Sequence, residues 1–72
     1  MAQLTVAQYD AVEDAIRDRR RILVRRLHRD MIVVPERLVL RNRREAIEAR
    51  HPTTGELVVL WVDEADWIEV VR

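Results

Sequence analysis

The hydrophobic period of this chain changes once, near Arg21, and that change limits most of what it can become. Before it, apolar residues recur at helical spacing: Val6, Tyr9, Val12 and Ile16, with Ala15 filling in beside Ile16. After it, short β-branched and apolar runs alternate with turn-forming clusters. A 3.6-residue pattern does not settle as a strand, nor a two-residue pattern as a helix. One helix and then several closely spaced strands lead to a small barrel or rolled sheet. The expected fold class is α+β, mainly β, in one domain of 72 residues. The helix is expected over about residues 4–19 and a five-stranded small β-barrel over about residues 21–71.

The helix start is well marked. Thr5 is a good N-cap, and Gln8 three residues later completes a capping box. Leu4 before the cap is placed to pack on Tyr9 as a hydrophobic staple. Asp10, Glu13, Asp14, Arg17 and Asp18 take the polar face, where Glu13 and Arg17 form a favourable four-residue pair. Strands are then expected over residues 22–27, 31–34, 46–50, 57–62 and 67–71, with Pro35 at an edge or bend, residues 38–40 continuing extended, and Ile47 and Ala49 on the face opposite Glu48 and Arg50. The expected turns are His28-Arg29-Asp30, Asn42-Arg43-Arg44 and the stretch from His51 to Glu56, which holds the one glycine. Asp63-Glu64-Ala65-Asp66 fits a single tight helical turn.

Residues 57–62, Leu-Val-Val-Leu-Trp-Val, lack the alternation of a half-exposed strand, so both of their faces need cover. The last strand is apolar on both sides too, at Trp67, Ile68, Val70 and Val71. A chain this short sits near the lower limit of self-sufficient cores. With no cysteine, disulfides are excluded, and oligomerisation is the remaining route to extra stability. A homo-oligomer is the expectation.

Charge is uneven. The net charge is zero, yet residues 1–16 carry −3, residues 17–44 carry +8 and residues 45–72 carry −5. Every base is an arginine, a bias that reflects genome composition or growth temperature before it reflects function. Arg19, Arg20, Arg21, Arg25, Arg26 and Arg29 surround the first strand, and Arg41, Arg43 and Arg44 the next turn. These nine are the candidate residues for binding a partner or nucleic acid, since arginine–phosphate contacts give sequence-independent affinity. Only Tyr9, Trp61 and Trp67 offer stacking surfaces, however, so specific recognition of single strands is a weak expectation. An acidic face of another protein or subunit is an equal candidate.

Catalytic, cofactor and metal sites are not expected. Nucleophilic chemistry needs Ser, Cys, Thr or Lys beside a base, and only Thr5, Thr53 and Thr54 are present, one a cap and two in a turn. Asp63-Glu64-Ala65-Asp66 spells a helicase box, but no phosphate-binding loop precedes it, and a structural turn is the expected role. His28 and His51 fall in turns, and two histidines near Glu48 or Asp30 are weak grounds for a metal. No apolar run approaches the roughly 20 residues that span a membrane, and the first five residues lack the features of a signal peptide. The expected location is cytoplasmic.

The order of elements carries a resemblance. Residues 15–22 lead into the proline-containing Val33-Val34-Pro35-Glu36-Arg37-Leu38; then come Glu45-Ala46-Ile47-Glu48-Ala49-Arg50, the Thr54-Gly55-Glu56 turn, and residues 62–70. This resembles the WYL domain, an Sm/SH3-like barrel of bacterial transcription regulators and some defence-associated proteins, over about residues 11–71. The resemblance implies an Sm/SH3-like small barrel and a regulatory role. The Trp-Tyr-Leu slot itself holds Glu45-Ala46-Ile47, and the family's arginine after a Leu-Asp pair is Glu64, after Val62-Asp63. Those are the family's positions for nucleic acid or nucleotide-like ligands, so that binding function does not carry over, and the helix-turn-helix that accompanies WYL domains has no counterpart in these residues. The plan is equally similar to the small Sm-like family that binds and inhibits the Rho termination factor. The resulting expectation is a non-enzymatic interaction module, accessory in transcription or RNA-linked regulation, with nonspecific RNA or DNA binding and a purely structural role as alternatives.

Overall fold

The computed structural model describes residues 4–71, a helix followed by a five-stranded antiparallel sheet. Helix α1 spans Val6–Asp18, and its start is the capping box read from sequence, Thr5 accepting from the Gln8 amide while Gln8 accepts from the Thr5 amide. It ends at Arg19, whose left-handed backbone (φ 55°) lets its N–H and that of Arg20 reach the Ala15 carbonyl. Val12 and Ala15 are buried, and Tyr9 and Ile16 pack at the margin of the core. Val6, expected on the apolar stripe, is instead 77% exposed.

The strands are β1 (Ile22–Arg26), β2 (Arg29–Arg41), β3 (Arg44–Arg50), β4 (Leu57–Trp61) and β5 (Trp67–Val70), in the spatial order β4-β3-β2-β1-β5. The runs on either side of Pro35 are one strand. The first part of β2 pairs with β1 as far as Val33, and the second part pairs with β3 from Val34 onward. Pro35 sits where one ladder has ended and the other begins, beside a register shift between Pro35 and Arg37. A proline fits there because the bend removes the need for its missing donor. This bent strand brings the two halves of the sheet around one core. Ile22, Val24, Val33, Ile47, Ala49, Leu60 and Ile68 point into it, joined by Leu4, Val12, Ala15, Val62 and Ala65.

Three local expectations are corrected. The first hairpin turns at Leu27 and His28, both with positive φ (49° and 63°), so Arg29 and Asp30 belong to β2, not to the turn. Two consecutive left-handed residues make the tight turn whose twist matches antiparallel strands. The second hairpin turns the same way at Asn42 and Arg43 (φ 49° and 64°), and Arg44 opens β3. Val62 leaves the strand and starts a 3-10 turn, η1 (Val62–Glu64), which buries Val62 and Ala65 and directs Asp63 and Glu64 outward.

Candidate interaction surface

Side-chain parity follows from the register. On the outer face of the sheet, Arg37 and Glu48 are directly opposite, as are Glu48 and Val59, and Ala46 and Trp61. Glu48 is only 5% exposed although it faces away from the core. It is covered by Arg37 and Arg41, which both donate to its carboxylate. The Arg37 hydrogen bond, reinforced by the charges of Arg37 and Arg41, holds the Glu48 carboxyl below its ordinary range against the opposing cost of burial.

A second cluster lies at the η1 turn. Arg44 makes a two-pronged contact with Asp63 (2.9 and 2.7 Å) and reaches Glu64 at 3.4 Å. The same guanidinium lies 4.3 Å above the centre of the Trp61 ring, a cation–π contact. Arg26 approaches Glu64 from the other side at 3.5 Å. Asp63 is thereby held below the ordinary aspartate range, chiefly by the Arg44 hydrogen bond. The acidic stretch that spells a helicase box thus anchors the second hairpin, through Arg44, onto the turn before β5.

These contacts divide the nine candidate arginines. Arg41 is committed to Glu48, Arg44 to Asp63 and Glu64, Arg26 to Glu64, and Arg25 to Asp30 through two hydrogen bonds. Among the described residues Arg19, Arg20, Arg21, Arg29 and Arg43 have no carboxylate within ion-pair distance. Nor do these five form one patch. Arg19, Arg20 and Arg21 precede β1, whereas Arg29 lies across from Arg26 at its far end. At about 3.3 Å per strand residue those two groups are roughly 16 Å apart. The arginines that surround the first strand are thus divided between its two ends.

The histidines take structural places. His28 is in the first turn, and the Nδ1 of His51 accepts from the Thr53 and Thr54 amides, ordering the loop before Gly55. Among the described residues no group of three or more His, Cys, Asp or Glu side chains is arranged to hold a metal ion. Among the described residues no helix is long and apolar enough to cross a membrane.

The second apolar side of β4 is covered within the chain to a large degree: Val59 lies beside Glu48, and Trp61 lies under Arg44. On the two end strands of the sheet Leu57, 52% exposed, and Trp67, 48% exposed, stay open, and Val6, Leu27, Ile32 and Leu40 are exposed elsewhere. Trp67 borders a groove of about 700 Å³ between α1 and β5, lined by Thr5, Ala7, Gln8, Ala11 and residues 66–70. Sequence reasoning did not find this groove. Its only signal was the pair of alanines on the helix face next to the predicted stripe.

The chain matches no protein-family model and no curated protein.

Proposed function

We propose that the chain is a non-enzymatic interaction module of Sm-like and WYL-like plan, acting as an accessory in bacterial transcription or RNA-linked regulation and docking a protein partner, a second copy of itself included. The observation that carries the preference for protein is the pairing of Arg25, Arg26, Arg41 and Arg44 with carboxylates of the same chain. A guanidinium already neutralised by a two-pronged carboxylate has little left for a phosphate. Trp61, which could have stacked on a base, is occupied by Arg44. Trp67, half-exposed and directly opposite Arg25 on β1, is of a residue kind enriched at the centre of protein-docking surfaces.

In-cell photo-crosslinking tests this. A benzophenone side chain in place of Trp67 is expected to capture protein, and light scattering of the purified chain shows whether a second copy is among the partners. The alternative reading, nonspecific nucleic-acid binding, is favoured by the five unpaired arginines. It predicts RNA or DNA adducts from the same probe placed at Arg20 or Arg43. Nucleic acid captured at those positions, with no protein at Trp67, would replace the first reading by the second.

A further inference from the structure

We propose that two copies of this chain pair about a two-fold axis, the Leu27 side chain of each entering the groove between α1 and β5 of the other. This rests on the protein-docking reading above and names the partner, a second copy, and the surface it uses.

The turn between β1 and β2 is the first observation. Leu27 and His28 both hold left-handed backbone (φ 49° and 63°), a conformation disfavoured for any bulky residue. Leu27 is also 79% exposed, so nothing inside the chain compensates for the strain or for the bare apolar surface. Asparagine and glycine would form the same turn with neither cost. A strained residue that presents an apolar side chain to solvent points to a contact outside the chain.

Shape is the second observation. Beside Leu27 lies a hollow of about 500 Å³, lined by Leu27, Met31, Arg26, Arg29 and Asp30. Beside Trp67, 48% exposed, lies the α1–β5 groove of about 700 Å³, whose helical wall presents the small side chains of Ala7 and Ala11. Each hollow thus adjoins one projecting apolar side chain. When Leu27 packs on Ala7 and Ala11 of the second copy, the second copy's Trp67 fills the hollow beside Leu27. The contact is between side chains and asks nothing of the β5 main chain, where Ile68 is buried.

Charge agrees with shape. Asp66 and Glu69 line the groove, both exposed, and among the described residues neither has a cation within ion-pair distance. Arg25, whose field reaches both, is held by Asp30 through two hydrogen bonds. Arg29, next to the turn, is exposed and has no carboxylate within that distance. Docking the turn in the groove brings Arg29 to these carboxylates, and a net charge of zero leaves no overall repulsion between copies.

Turn and groove are neighbours on the molecule. The Asp66 amide donates to the Arg25 carbonyl at 2.8 Å, and Trp67 lies opposite Arg25, two residues before Leu27. A surface that carries both halves of a contact side by side is self-complementary. A two-fold operation then makes both contacts at once and closes at the dimer.

Sedimentation of the full chain over a concentration series tests this. Monomer and dimer are expected in a concentration-dependent balance, and Trp67 fluorescence, read in a Trp61→Phe background, should shift to the blue as the dimer forms. Leu27→Asn with His28→Gly is expected to weaken the dimer at least about tenfold, although its unfolding midpoint, measured where both proteins are monomeric, should rise. Arg29→Glu, and separately Asp66→Arg with Glu69→Arg, should each weaken it about tenfold by setting like charges together. Mixed in equal amounts, those two proteins should associate again, because the reversed turn meets the reversed groove and the unaltered turn meets the unaltered groove. Circular dichroism of each variant separates lost association from lost fold. A chain still monomeric at millimolar concentration, a dimer unmoved by the turn variant, a mixture no better than its components, or oligomers that keep growing past the dimer would overturn the proposal. A monomeric chain whose position-67 probe captures a different protein leaves the docking reading standing and removes this inference. Capture of nucleic acid alone removes the docking reading itself.

Discussion

Tyr9 and Glu48 show how much a single polar side chain contributes in a domain of only 72 residues. The Tyr9 hydroxyl donates to Glu45 at 2.6 Å and ties α1 to the start of β3. That hydrogen bond, with burial and the Glu45 charge, pushes the phenol up to about 12 from 10.0. Because the folded value is raised, the contribution to stability is whole below pH 10.0 and is lost as pH climbs through about 12. Phenolate absorbance in the folded protein should therefore appear near the upper value. Tyr9→Phe should lower stability by about 1 kcal/mol and remove the alkaline loss; a normal titration would mean the contact does not form in solution. Glu48, Asp30 and Asp63 have the opposite sign. Their folded values are depressed by Arg37, Arg25 and Arg44 in turn, below ordinary values of 4.5, 3.8 and 3.8. Their stabilisation is present above those ordinary values and is lost as pH falls through the depressed ones. Glu48→Gln should lower the denaturation midpoint at neutral pH and flatten the acid limb of the stability profile, while an unchanged acid limb would show that Glu48 is not held by its arginines. Sequence pattern put Glu48 on the face opposite Ile47 and Ala49 but gave no sign that it is buried, because its cover comes from Arg37 and Arg41 on the neighbouring strand.

Secondary-structure elements were legible where local chemistry alone decides them. The capping box of α1 needs only Thr5 and Gln8 at the right spacing, and it forms as read. Thr5→Ala should cost about 1 kcal/mol and fray the first helical turn in amide exchange. The turn at Asn42 was legible because asparagine accepts positive φ, and so was the bend at Pro35. The turn at Leu27 and His28 was not, because neither residue advertises the left-handed region that both occupy. Cross-strand pairing from Ile22 with Val33 through Arg26 with Arg29 imposes that turn on them. Leu27 is 79% exposed, so it bears the strained backbone without any burial in return. Leu27→Asn together with His28→Gly should accordingly raise stability by about 1–2 kcal/mol. A destabilised double variant would show that the exposed leucine is held by something other than the turn. At Gly55 (φ 76°), as at Asn42, the sequence already supplies a residue that the left-handed conformation favours.

At the scale of the whole molecule, the fold class was legible and the surface was not. Periodicity alone separates the helix from the strands, and the alternation in residues 46–50 puts Ile47 and Ala49 on one face, which is the core face, whereas the continuous apolar run of β4 does not single out Leu60. The fate of the arginines depends on which strands become neighbours, which no local pattern encodes. Only the ladder of β2 with β3, and the η1 turn beside it, bring Arg41 to Glu48 and Arg44 to Asp63. The groove at β5 is lined by Asp66 and Glu69 in a chain whose most conspicuous feature is its arginine content. A formal excess of charge in one stretch is thus a poor guide to the field that a partner meets, and the protein-docking reading depends on this internal neutralisation. Titration of single-stranded RNA at low and physiological salt measures it directly. With five arginines left without a carboxylate partner among the described residues, affinity should be weaker than about 10⁻⁴ M at physiological salt, and the slope of log K against log salt no steeper than roughly −3.5. Micromolar binding with a slope near roughly −6, the value for all nine arginines on phosphates, would contradict it.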